Sequence, residues 1–134
     1  MSVTGGIVTK VLAAIKLAIP SITTLEGTIG INEIPTGKFP HAQAFGEAMS
    51  VVRTLPWRIE EQAHAFTVVI TDRDKTKEQM LTHFDSILTQ LDLDRKLAFT
   101  VRWVKVTGFG LDESADTHMH LKTLFFEVVA EVYR

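Results

Sequence analysis

His118 and His120 are the side chains best spaced for metal chemistry. Two residues apart on an extended chain, they would project to one face and reach one ion, and Asp116 could add an oxygen. A third nitrogen or carboxylate ligand at a fixed spacing is missing. The expectation is a solvated strand start beside an acidic turn, with no metal held. The acids pair no better. Glu60 and Glu61 are neighbours and would face opposite ways on a strand. Glu127 and Glu131 would share a face but lie roughly 13 Å apart by strand rise, too far for a close glycosidase carboxylate pair. These carboxylates read as a solvated face or as contacts to a neighbouring subunit.

Nucleophiles and phosphate cradles fare no better. Ser86 falls mid-helix and Ser114 in a polar stretch, neither in a Gly-x-Ser-x-Gly setting. Gly108-Phe109-Gly110 lacks the Lys-Ser/Thr or the helix start of a phosphate loop and predicts a hairpin loop. Trp57, Trp103, Phe45, Phe66 and Phe99 fall on predicted strands. Beside Arg58, Arg102 and Lys105 they could stack bases, but core packing is the ordinary fate of such aromatics. The expectation is no catalytic residue and no cofactor.

The whole chain fits that reading. Its 134 residues predict one domain, 1–134, long enough for a real core. Net charge is −2 and the 14 basic residues are scattered, which argues against specific nucleic-acid binding. Cysteine is absent, which excludes disulfides and thiolate sites. No membrane span is expected: the greasy run from Val11 to Ile19 is broken by Lys16 and ends at Pro20, short of the ~20 residues a bilayer needs. Lys10 precedes the same run, but the run is short and Gly5-Gly6 comes before it, so a signal peptide is not expected.

The elements that would position these residues are legible from periodicity. Val8, Leu12, Ile15 and Ile19 form one helical face over 7–19, and Pro20 stops the helix. Residues 21–40, cut by Gly27, Gly30, Pro35, Gly37 and Pro40, read as a long loop with a short strand. Strands are predicted over 42–53 and about 57–71, joined at Thr54-Leu55-Pro56. Ile59 has the wrong parity for the Phe66, Val68, Ile70 face, so a bulge or strong twist is expected near Gln62. A second helix runs to Leu91, opened by a Thr76/Gln79 capping box, with Met80, Phe84, Ile87, Leu88 and Leu91 on one side. A third strand is predicted over 97–107, a loop over 108–116, and a last strand in which Leu124, Phe126, Val128, Ala130 and Val132 alternate with other side chains. The sum is an α+β fold: helix, two strands, helix, two strands. Two helices would pack on one face of a mainly antiparallel sheet of about four strands.

Two predicted loops combine apolar and charged residues and are the candidate contact surfaces: Ile34, Phe39 and His41 in one, Phe109, Leu111, Asp112 and Glu113 in the other. Glu47, Arg53, Asp112 and Glu113 would tune register and partner choice.

This layout resembles the small neck and tail-terminator proteins of tailed bacteriophages and related gene transfer agents. The shared features are the short helix from Ile7 to Ile19 and the hairpin from Phe39 to Thr71 after a Pro/Gly-broken loop. Next come the second helix, Met80-Leu81-Thr82-His83-Phe84-Asp85-Ser86-Ile87-Leu88 with its exit at Leu91-Asp92, and the final hairpin ending Glu131-Val132-Tyr133-Arg134. The resemblance implies a ring of identical subunits, commonly a hexamer, at the top of the tail tube. It also implies that the ring ends tube polymerisation, binds the head connector, has no catalytic residues, resides in the virion and is assembled in the host cytoplasm. Two other classes stay open at this stage. One is a small α+β enzyme or ligand-binding protein using His118, His120 or His64 in a cleft; the other is an RNA-binding module with aromatics on an open sheet.

Overall fold

The computed structural model describes residues 3–30, 33–95, 97, 101–116 and 120–133. Helix α1 (Val3–Ala18) is followed by the short strand β1 (Thr23–Glu26) and then by the hairpin of β2 (His41–Leu55) and β3 (Ile59–Arg73). Helix α2 (Lys77–Leu93) leads to a second hairpin, β4 (Trp103–Asp116) and β5 (Leu121–Tyr133). The strands make one sheet in the order β1-β2-β3-β5-β4. The fold is therefore α+β as expected, but with five strands. The extra one is β1, which lies parallel to β2 through Thr23↔His41 to Glu26↔Ala44; every other pairing is antiparallel.

Both helices lie on one face of the sheet. The α1 stripe of Ile7, Val8, Val11, Leu12 and Ile15 and the α2 stripe of Met80, Ile87 and Leu91 are buried in a single core. The sheet meets them with Ala42 and Ala44 of β2, Phe66, Val68 and Ile70 of β3, Val104 of β4, and Leu124, Phe126, Val128 and Ala130 of β5. Period-two alternation thus delivers one apolar face from each strand. The capping box on α2 forms as read: the Thr76 hydroxyl accepts from Gln79 N, and the Gln79 side chain accepts from Thr76 N. His83 Nε2 meets the buried Asp72 Oδ2 at 2.9 Å and ties α2 to β3.

The β2–β3 hairpin outruns the core. Its register slips twice, between Phe45/Ala48 and Val51/Arg53, each time with an extra residue on β2. Gly46 takes φ +72° at the first slip, the left-handed residue a glycine bulge needs. The second lies opposite Glu61 and Gln62, where the parity of Ile59 placed a bulge, with the extra residue on the partner strand. Beyond the first bulge, residues 46–54 of β2 are exposed along the sheet edge while β3 stays paired with β5 as far as Glu61↔Tyr133; this uncovered stretch of β2, with the tip that runs past that pair, is the arm. Trp57 does not lie on a strand or in the core. It stands in the 3-10 turn Pro56–Arg58 at the arm's tip, 92% exposed.

The last third departs most from expectation. Gly108-Phe109-Gly110 is not a hairpin loop but the middle of β4, and residues 111–116 continue the strand. Of the expected strand over 97–107, residues 98–100 lie outside the described residues. Leu97 sits in a turn with φ +45°, and regular pairing starts only at Trp103. Leu97 and Val101 instead insert into the core. Gly110 faces Phe125 across the ladder, and a β-carbon there would come within 2.2 Å of the Phe125 ring. The glycine makes room for an aromatic, which is a strand use of glycine and not a turn use.

Candidate interaction surface

The predicted contact residues divide between opposite edges of the sheet. Ile34, Phe39 and His41 lie at the β1–β2 side, and Phe109, Leu111, Asp112 and Glu113 lie on β4 at the other side. Ile34 and His41 are buried and so are not displayed contacts; Phe39 is half-buried and joined to Pro40 by a cis peptide bond. His41 opens β2 in a cross-strand row with Thr71 and Thr123. All three are buried, and His41 Nδ1, Thr71 Oγ1 and Thr123 Oγ1 have no hydrogen-bond partner among the described residues. Burial holds the His41 imidazole below its ordinary pKa, because the charged ring would lose water.

On β4, Phe109 and Leu111 point to the helix side. The Phe109 ring stacks on Phe84 of α2 at 4.4 Å, and Leu111 packs on the core. Phe109 stays 46% exposed, and Asp112 and Glu113 are exposed beyond it.

The histidines do not assemble into a cleft. His118 lies outside the described residues. His120 is exposed in the turn before β5 with φ +57°, not on the strand, and its carbonyl accepts from Asp74 N. His64 is buried between α1 and β3, with Nδ1 at 2.6 Å from Thr4 Oγ1 and Nε2 at 3.0 Å from Gln62 Oε1. Among the described residues no group of three His, Asp or Glu is placed to hold a metal ion.

A charged cluster that the sequence did not announce sits on the sheet face away from the helices. Glu61 of β3 bonds Arg53 of β2, while Arg102 Nη1 bonds Glu131 Oε1 of β5 at 2.9 Å and lies 3.8 Å from Glu61 Oε1. The Arg102 guanidinium also bonds the Tyr133 hydroxyl and stacks over its ring. A hydrogen bond with the Glu131 carboxyl, then the charges of Arg53 and Arg102, hold Glu61 below the usual carboxylate range. Only the β2–β3–β5 register brings these residues together. Local spacing carries no trace of it, and Glu131 is thereby a buried ion-pair partner rather than a solvated acid.

Two further features could meet a partner. The first is the arm, where Met49, Val51, Val52, Trp57 and Ile59 are all exposed. The second is a groove of about 330 Å³ between α2 and β4, lined by Leu88, Leu91, Asp92, Arg95, Trp103, Val104, Lys105 and Val106. Each flanks a free strand edge. On its outer side β2 is paired only over His41–Ala44, by β1, and β4 pairs on one side only among the described residues. No helix of the described residues is long and apolar enough to cross a membrane. No family model matches this chain, and no curated protein matches it either.

Proposed function

We propose that this chain is a structural subunit of a phage or gene-transfer-agent neck. Copies of it form a ring, a hexamer as in the proteins its layout resembles, that ends the tail tube and joins it to the head connector without performing chemistry. One observation carries the reading: among the described residues the sheet keeps two free edges on opposite sides, each flanked by exposed apolar side chains. Unpaired edges of that kind are templates for another strand. Edges on opposite sides suit a heterologous contact, which closes into a ring when the rotation allows. His64, His83 and the buried acids Asp72 and Glu131 are meanwhile engaged in holding the fold, at His64–Thr4, His83–Asp72 and Glu131–Arg102. The experiment is light scattering after size exclusion, with negative-stain imaging of the same peak, over a range of concentration and salt. Annular particles are expected. A monodisperse monomer under every condition refutes the ring.

A further inference from the structure

The geometry points to a specific mate for the β2–β3 arm: the β4 edge and the α2/β4 groove of a second copy of this chain. The inference rests on the ring reading and says how the junction between copies is built.

Strand direction comes first. β2 is antiparallel to β3, β3 to β5, and β5 to β4, so β2 and β4 run in opposite directions. A copy generated by rotation about an axis along the strands therefore brings its β2 against β4 in the antiparallel sense. Because β1 covers β2 only as far as Ala44, the free part of β2 is the arm itself.

Side-chain parity comes next. Met49 and Val51 are opposite His64 and Gln62, and His64 faces α1, so these two arm residues lie on the helix side of the sheet. On β4 that side is occupied by Val104 and Val106, which line the groove with Leu88 and Leu91. Continuing the sheet from β4 to the incoming β2 thus lays Met49 and Val51 along a groove already open at that edge, apolar at Leu88, Leu91, Val104 and Val106 and rimmed by Asp92, Arg95 and Lys105. Antiparallel pairing carries the tip toward the Trp103 end of β4.

The areas agree. At about 150–250 Å² for a large side chain, the exposed fractions of Met49, Val51, Val52 and Trp57 leave on the order of 500 Å² of apolar surface in water. A standard interface needs about 800 Å² per partner, and the strand backbone supplies the remainder.

The tip adds an independent sign. Trp57 and Arg58 adopt φ +71° and +62°, a left-handed pair with no glycine to relieve it. A strained and water-exposed tryptophan stabilises nothing in the isolated chain, and strain kept at such a place marks a site of function.

Trp57→Gly is the decisive variant, because it relieves the turn and leaves the core untouched. It should fold with a Tm at or above that of the parent chain, yet remain monomeric at concentrations where the parent assembles. A groove variant, Leu88→Glu, should also stay monomeric, and circular dichroism checks its fold; Trp103→Ser serves where Leu88→Glu does not fold. Mixed one to one, tip and groove variants should form a dimer and nothing larger, since each retains one intact half of the junction. If Trp57→Gly assembles as the parent does, the arm is not the junction and this inference fails while the ring stands. Trp57-dependent binding to phosphatidylcholine vesicles without self-association would assign the arm to a lipid surface and overturn it. A parent chain that never associates removes the ring reading and this one together.

Discussion

Gly110→Ala tests whether the Gly-Phe-Gly segment is strand interior held open for an aromatic ring. A β-carbon at residue 110 would lie 2.2, 2.6 and 2.8 Å from three carbons of the Phe125 ring. Carbon atoms in contact prefer about 3.5–4.0 Å, so the ring must retreat by more than 1 Å. It can do so, because Phe125 is 44% exposed and water lies beyond it. The cost is the packing between ring and strand, about 1–2 kcal/mol, in the lower part of the range for overpacked sites. Alanine returns about 0.5–1 kcal/mol by restricting the unfolded chain. The net expectation is a loss of roughly 1 kcal/mol.

The same substitution in a Phe125→Ala background has no ring to displace, so only the favourable part remains and Gly110→Ala should stabilise by about 0.5 kcal/mol. The difference between the two backgrounds, about 1–2 kcal/mol, exceeds the ~0.5 kcal/mol scatter of independent sites. Urea unfolding followed by far-UV circular dichroism measures all four corners of the cycle, with an unchanged m-value as the control. Equal effects of Gly110→Ala in both backgrounds would refute the account. So would stabilisation in the parent chain, as expected of an open surface position.

Thr71→Val replaces a buried hydroxyl that has no partner among the described residues and should raise stability by about 1 kcal/mol, read as a shift in the urea midpoint. Thr76→Ala removes the hydroxyl half of the α2 capping box, leaving the residue-76 N–H on the Gln79 side chain, and should cost about 1 kcal/mol, read the same way. Stability should depend on pH in two windows. His41 binds its proton more weakly folded than unfolded, so its contribution is complete above pH 6.5 and declines as pH falls below it; His41→Gln should abolish that slope. Glu61 is likewise depressed, so its contribution is present above pH 4.5 and lost on acidification below that, and Glu61→Gln should flatten this acid limb. Urea midpoints across the pH range separate the two.

Helical elements were the most legible. The α1 stripe and the α2 capping box lie entirely within local spacing, and local spacing is what a single chain displays. The two hairpins were legible as pairs of strands, because alternation survives wherever one face is buried. The boundaries of the second were not. Gly108 and Gly110 carry the usual punctuation of a turn, and only Phe125 on the partner strand explains why Gly110 sits mid-ladder. The charged cluster was hidden for the same reason: Glu61 and Arg102 meet through register, and register is a property of strand pairs.

The arm shows where alternation stops being informative. Phe66, Val68 and Ile70 alternate and are buried, and on the same hairpin Met49 and Val51 share a parity and are exposed. Both patterns report a face that water disfavours. Neither states what covers it, because cover depends on how far the helices reach across the sheet: α1 reaches β3 at His64, while Met49, opposite it on the edge strand, stays exposed. An apolar strand face that outlasts its own helices has two fates, aggregation or a dedicated partner. A strained Trp57 at the tip and a groove beside the opposite edge favour the second. The same reasoning makes a sharp demand on Val52, whose side chain stands at the second bulge: Val52→Lys should leave the urea midpoint within about 0.5 kcal/mol of the parent, as an exposed substitution does. It should nevertheless weaken self-association by light scattering, and a variant that assembles unchanged would place that bulge outside any contact.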